Sequence, residues 1–371
     1  MNDRLTRRDW NRLAGAGLLG VGASGWFDSL AARAAEQGSA GRRKACILLY
    51  MNGGPSHVDT FDIKPKVSEF KAIPTAIGGV QFSEHLPKLA KSASDLVVVR
   101  GMSTSEGSHA RARYYVHTGF REGVGGVVHP TLGSIASAMI GPKKPELPNF
   151  VCVAANGLGP GYLGPTHAPL FVTNPDRGVE NLKADDGLAA FDRRASLLDE
   201  MEKGFLDRKR APAAEAHRAA YQAAISLMHS EKAKAFDIGA ESESTRSQYG
   251  SGKFAQGCLL ARRLVEFGVP FVEVDMGGWD THKDNFNRVK RMSLEVDAAM
   301  SALVADLKTR GMLDDTLVVW MGDFGRTPDV KGGGRGHYPR AWTSVLAGGG
   351  LRPVRPSAKP TRAAPRLKTA K

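Results

Sequence analysis

Short apolar runs, each closed by a polar or glycine-rich turn, recur along this chain. Those at 45–51, 96–100, 150–154, 269–274, 317–321 and 343–347 are too short for helices and rich in Val, Ile, Leu and Phe. They read as buried β-strands. Between them, apolar residues recur at helical spacing over 86–93, 108–118, 131–140 and 287–310. The pattern over 195–265 is also helical, with a polar interruption near 239–251, and 155–190 is loop-rich. Strands that are apolar on both faces, alternating with helices, predict an α/β fold: a three-layer sandwich with a mainly parallel central sheet. The segment 155–265 is expected to be a helical and loop insertion within one domain spanning 35–350.

The two ends depart from this pattern. Thr6-Arg7-Arg8-Asp9-Trp10 precedes a Gly/Ala-rich apolar run, and Ala32-Arg33-Ala34 offers a small-x-small cleavage site. Residues 1–34 are therefore expected to be a twin-arginine (Tat) signal peptide, recognised by the Tat export machinery. The mature protein is then periplasmic or extracellular. The apolar run is too short and glycine-rich for a membrane span, and no later segment approaches the required length. After Gly350 the pattern stops, and 351–371 reads as a basic tail, either disordered or the product of a frameshift.

The charge does not indicate a nucleic-acid partner. The formal net charge is +13, but seven cations of the tail and a net two of the leader leave only +4 on the body. Cys46, Cys152 and Cys258 lie in apolar runs without metal-ligand spacing, as buried small hydrophobes do.

The turns that close the apolar runs carry the chemistry. His57, Asp59 and Asp62 follow the first run, and His109 opens a helix soon after the second. Gly277-Gly278-Trp279-Asp280-Thr281-His282 follows 269–274. Asp323 follows 317–321, and His337 comes soon after it. A lone Asp after a strand is usually a helix cap, and a lone His in a turn is usually solvated. Several such clusters at successive strand ends point instead to a site where open α/β sheets place theirs. Mixed imidazole and carboxylate ligands suit a divalent metal, Zn or Mn in preference to Ca or Mg. Such an ion lowers the pKa of its water from about 15.7 towards about 7 and polarises a phosphoryl or sulfuryl oxygen. Arg111 and Arg113, in the first turns after His109, are placed to clamp a tetrahedral oxyanion.

Taken in order, four features resemble one family: the twin-arginine leader, Asn52-Gly53-Gly54-Pro55-Ser56-His57-Val58-Asp59-Thr60-Phe61-Asp62, the Gly-Gly-Trp-Asp-Thr-His stretch, and Trp320-Met321-Gly322-Asp323-Phe324-Gly325-Arg326-Thr327 with Gly336-His337-Tyr338-Pro339-Arg340. It is the exported sulfatase-like domain-of-unknown-function family, grouped with the alkaline phosphatase and sulfatase superfamily. The resemblance implies an alkaline-phosphatase-like fold and an anionic ester substrate, a small molecule or a polysaccharide. It implies metal ligands at Asp280, His282, Asp323 and His337, with Asp59 substituting for the Asp that usually ends the first strand, where Asn52 stands. His109 falls where the sulfatase signature has its formylglycine-forming Cys, and Arg113 keeps the signature arginine. Phe324 replaces the His of an Asp-His metal pair. Two functions follow. In one, the protein hydrolyses phosphate or sulfate esters, with His109 as nucleophile or base or with direct attack by activated water. In the other, it binds metal or anions without catalysis.

Overall fold

The computed structural model describes residues 44–154, 157–182, 187–206 and 212–351. The expected leader lies outside the described residues, as does the tail beyond Leu351. In chain order the elements are β1 (Ala45–Met51), β2 (Ala72–Pro74), β3 (Gln81–Ser83), α1 (Pro87–Lys91), β4 (Leu96–Met102), α2 (His109–Thr118), α3 (Leu132–Met139), β5 (Phe150–Val153) and β6 (Leu170–Val172). They continue with α4 (Leu188–Leu206), α5 (Pro212–Met228), α6 (Glu243–Tyr249), α7 (Lys253–Glu266), β7 (Phe271–Met276), α8 (Asn285–Thr309), β8 (Thr316–Gly322), β9 (Gly325–Lys331), β10 (Gly334–Tyr338) and β11 (Trp342–Gly348).

Seven strands form the central sheet in the order β4-β11-β8-β1-β7-β5-β6. β1 pairs in parallel with β7 and β8, and β5 with β6 and β7. Only β11 runs against the rest, antiparallel to β4 and β8. The sheet is thus mainly parallel, as its apolar runs predict. β6 and α7 both come from the segment read as an insertion; β6 extends the sheet and α7 packs beneath it.

Two cores sandwich the sheet. Ile47, Leu49, Val272, Val274, Val318 and Trp320 face one side and pack on Leu259, Leu260, Val296 and Met300 of α7 and α8. Each fully buried side chain of this kind contributes about 1.5–3 kcal/mol of hydrophobic stabilisation. Leu48, Tyr50, Cys152, Phe271 and Met321 face the other side, against Val116 of α2 and Leu132 and Ala136 of α3. That smaller core also holds charge. Glu273 and Asp275 of β7 register beside Leu48 and Tyr50 and are buried.

β1 lies between β8 and β7, so connections leave its carboxyl end in both directions. A crevice opens there in sheets of this kind. The turns after β1, β7 and β8 all converge on it.

Candidate metal centre

The turn after β1 is held tightly against the loop after β7. The amide of Asn52 donates to the Met276 carbonyl at 3.0 Å, and that of Trp279 to the Asn52 carbonyl at 3.3 Å. Gly53 has φ +112°, and a Cβ there would sit 2.3 Å from the Asp280 amide nitrogen. Only glycine allows this approach. The packing fixes Asp280 above the end of β1.

Asp280 is the hub. Its Oδ1 lies 3.3 Å from His109 Nε2, 3.2 Å from His282 Nε2 and 3.4 Å from His337 Nε2. The two nitrogens His282 Nε2 and His337 Nε2 are 2.9 Å apart. His109, Asp280 and His337 each offer one ligand atom, all within 4.8 Å of one another. His109 Nε2 is buried and has no hydrogen-bond partner. Three imidazole nitrogens facing one carboxylate oxygen, one of them orphaned, are a donor set that fits a zinc-like divalent ion. His337 Nδ1 donates to the Gly107 carbonyl at 2.8 Å, which leaves its Nε2 lone pair to the cluster.

The surroundings bias these groups. Burial pushes the Asp280 carboxyl up, but the hydrogen bond and charge of Arg326, with His109 and His282, hold it at about 2. The Arg326 Nη2 contact is 2.6 Å. Arg326 is buried and also donates to the carbonyls of Gly53, Gly54 and Arg335. His109 is raised above the ordinary imidazole value, chiefly by its hydrogen bond to Asp323. His337 is lowered by burial. The Asp280 side chain is 45% exposed and that of His282 51%, so the cluster opens to solvent on that side.

Of the residues read from the sequence, His109, Asp280, His282 and His337 come together, and Asp323 touches His109 from beneath. Asp59 does not join them. It is fully buried and takes Arg335 Nε at 2.7 Å, Arg335 Nη2 at 2.9 Å and Asn285 Nδ2 at 3.0 Å. A buried carboxylate is held where donors saturate it, and here those donors are Arg335, Asn285 and the Ser56 hydroxyl, which reaches Oδ2 at 2.6 Å. Arg113 turns into the smaller core, not toward the cluster. Its Nη2 reaches Asp275 at 2.9 Å and Glu273 at 3.4 Å, and its guanidinium lies 5.0 Å from the Tyr50 ring centroid. Arg111 pairs with Glu106 at the surface. Beneath the site, Asp275 is pushed up to about 8 by burial and by the Glu273 charge. His117 lies 3.0 Å from Glu273.

Three contributors escaped the sequence reading: Tyr50, Gly53 and Arg326. Tyr50 carried a signal, because a tyrosine in an otherwise apolar buried strand needs a partner for its hydroxyl.

The chain is similar to several solved structures. It covers 67% of the PsFucS1 sulfatase from Pseudoalteromonas sp. with 88% of its own length, at 14% identity and TM-score 0.44. With the C-terminal periplasmic domain of EcEptC from Escherichia coli, in complex with Zn, identity is 10%, coverage 84% of this chain and 75% of that one, and TM-score 0.40. With alkaline phosphatase from the Antarctic bacterium TAB5 the values are 14%, 83%, 91% and 0.34. No curated protein matches the chain. A family model described as a protein of unknown function (DUF1501) matches residues 43–357, a span that includes every described residue, and the chain belongs to that family.

Proposed function

We propose that this chain is an exported, metal-dependent hydrolase of phosphate or sulfate esters. The observation that carries the reading is the convergence of His109, His282 and His337 on Asp280 Oδ1 at 3.2–3.4 Å, from three segments far apart in sequence. A divalent ion held there, zinc or manganese, supplies Lewis acidity toward an anionic ester and a water made acidic enough to attack at neutral pH. The chain's own groups do the rest. Arg326 keeps Asp280 ionised and in place. The Gly107 carbonyl and Asp323 hold His337 and His109 by their Nδ1 atoms. The half-exposed side at Asp280 and His282 leaves room for a bulky leaving group, in keeping with a polysaccharide ester as well as a small one.

His109 stands where the resemblance puts a nucleophile, yet Nδ1 is engaged by Asp323 and Nε2 faces Asp280. This favours His109 as a ligand, not as the attacking group. It also keeps the second reading in play, an exported binding protein of the same fold. Export itself rests on Arg7-Arg8 and Ala32-Arg33-Ala34. Among the described residues no helix is long and apolar enough to cross a membrane.

Metal analysis of the purified mature protein, joined to a screen of aryl phosphate and sulfate esters, tests the reading. Bound zinc or manganese is expected, with ester turnover that chelator abolishes and metal restores. His109→Ala should lose both. Full turnover in excess chelator removes the metal from the mechanism. Metal bound without turnover of any ester leaves the binding protein.

A further inference from the structure

Asp323 follows β8 and is fully buried. Its Oδ1 accepts from the Tyr50 hydroxyl. Its Oδ2 meets the Gly53 amide at 3.1 Å and His109 Nδ1 at 2.5 Å. With the Asp323 oxygen as acceptor, Nδ1 of His109 is the donor, and in the neutral ring the lone pair sits on Nε2. Three of roughly four acceptor directions on the carboxylate are thereby filled by the protein itself. Asp323 and His282 both lie outside the group of His109, Asp280 and His337 whose ligand atoms gather within 4.8 Å, but Asp323 has both its oxygens taken by protein donors.

Tyr50 is held as firmly. The Arg113 guanidinium lies 5.0 Å from its ring centroid, and the His117 ring meets it edge-on at 4.5 Å. Glu273 and Asp275 hold Arg113 and His117 in turn. The charged residues of the smaller core therefore form a base under Tyr50, which fixes its hydroxyl on Asp323.

We propose that Tyr50 and Asp323 are a positioning pair. They set the tautomer and ring orientation of His109, and Asp323 acts on the centre through His109 instead of binding the ion itself. The consequence for metal affinity rests on the reading of the cluster as a metal site; the tautomer does not. Imidazole ligands commonly donate their second N–H to a carboxylate, and losing that partner costs about 10–100-fold in metal affinity. The assignment departs from what the resemblance implies, which makes Asp323 a direct ligand. The local reason is Phe324: the imidazole that would complete an Asp-His ligand pair is missing, and His109 occupies the space against the Phe324 ring, with centroids 4.9 Å apart.

Long-range proton–nitrogen correlation on the full chain, carrying isotope-labelled histidine and freed of metal by chelator, reads the tautomer directly. His109→Gln identifies the signal. The proton is expected on Nδ1 in the unaltered protein, and the single-tautomer signature should be lost in Asp323→Ala. Asp323→Asn should restore it, because the amide carbonyl can take the place of Oδ2 beside the Gly53 N–H. Zinc titration against a competing chromophoric chelator is the second readout. Asp323→Ala and Tyr50→Phe should each weaken zinc by about 10–100-fold with the number of ions bound unchanged, and Asp323→Asn should recover most of the loss. A neutral His109 ring with its proton on Nε2 in the unaltered protein overturns the proposal. So does an Asp323→Asn variant that keeps the tautomer but loses a bound ion, since that marks a direct ligand. Unchanged zinc affinity in Tyr50→Phe removes Tyr50 from the pair. If Asp323→Ala does not fold, the unaltered protein and Tyr50→Phe still decide. If no zinc binds at all, the metal reading falls while the tautomer measurement still judges the pair.

Discussion

Asp59 and Arg335 are both fully buried and meet fork to fork, with Asp59 Oδ2 2.7 Å from Nε and Oδ1 2.9 Å from Nη2. The remaining Arg335 donors go to the carbonyls of Val67, Thr327 and Pro328. Such a pair is expensive to desolvate, and its net contribution is small. Breaking it from one side is another matter, because a guanidinium is left uncompensated away from water. Asp59→Asn is therefore expected to lower stability by about 3–5 kcal/mol in urea unfolding and to leave the number of bound metal ions unchanged. Lost metal with stability intact would return Asp59 to the ligand set. The sequence places Asp59 in a strand-end turn beside His57 and Asp62, which is as far as spacing can reach. Which of several acids at strand ends face the crevice depends on partners such as Arg335, hundreds of residues away.

The β9–β10 hairpin carries Arg326 and His337 opposite each other in register, with an irregularity between Arg335 and His337. It rests on the loop after β7 through Gly334. A Cβ there would fall 2.0 Å from both the carbonyl carbon and the oxygen of His282, and these are backbone atoms that cannot swing aside. Gly334→Ala should push the hairpin off that loop and part His337 from His282. Zinc affinity is expected to fall by more than tenfold, on the scale of about 10–100-fold seen when ligand supports are lost. Titration beside Gly332→Ala, where φ is +59° but nothing lies within 4 Å of an added Cβ, checks the assignment; equal losses in the two variants would make the effect one of general disturbance of the hairpin, not of the Gly334 contact. This hairpin was invisible to the hydrophobic pattern. Its strands are polar and contain Pro328, and buried arginines hold it in place of an apolar face. The Gly332-Gly333 pair was the available signal for a hairpin turn. The central strands were legible for the opposite reason: with both faces covered, β1, β7 and β8 show as unbroken apolar runs. β6, of three residues, was too short to register, and the reversed direction of β11 leaves no mark on composition. The interruption near 239–251 does contain a helix, α6, whose cap Ser242 accepts from the Thr245 amide.

At the scale of the molecule, the sheet order gathers the proposed ligands from positions 109, 280, 282 and 337, and only the native chain brings them together. An ion that binds the folded protein and not the unfolded one stabilises it by about 2.7 kcal/mol when free metal is 100-fold above Kd. Zinc should therefore raise the urea midpoint of the chelator-treated protein, and the rise should depend on pH in a direction the site dictates. His109 holds its proton above the ordinary imidazole value because of Asp323, so zinc must displace that proton. The zinc-dependent increment is expected to be full above the raised folded His109 value and to shrink as pH falls through it, so that the loss begins above the ordinary imidazole value of about 6.5. Without metal the same histidine acts in the other sense. Its raised folded pKa gives stability that is complete below the unfolded value and is lost as pH rises through the folded one. Urea midpoints with and without zinc should thus diverge as pH increases, and His109→Gln should flatten both slopes. A zinc increment independent of pH between about 5.5 and 8 would mean that no imidazole is among the ligands, and the centre at Asp280 would have to be abandoned.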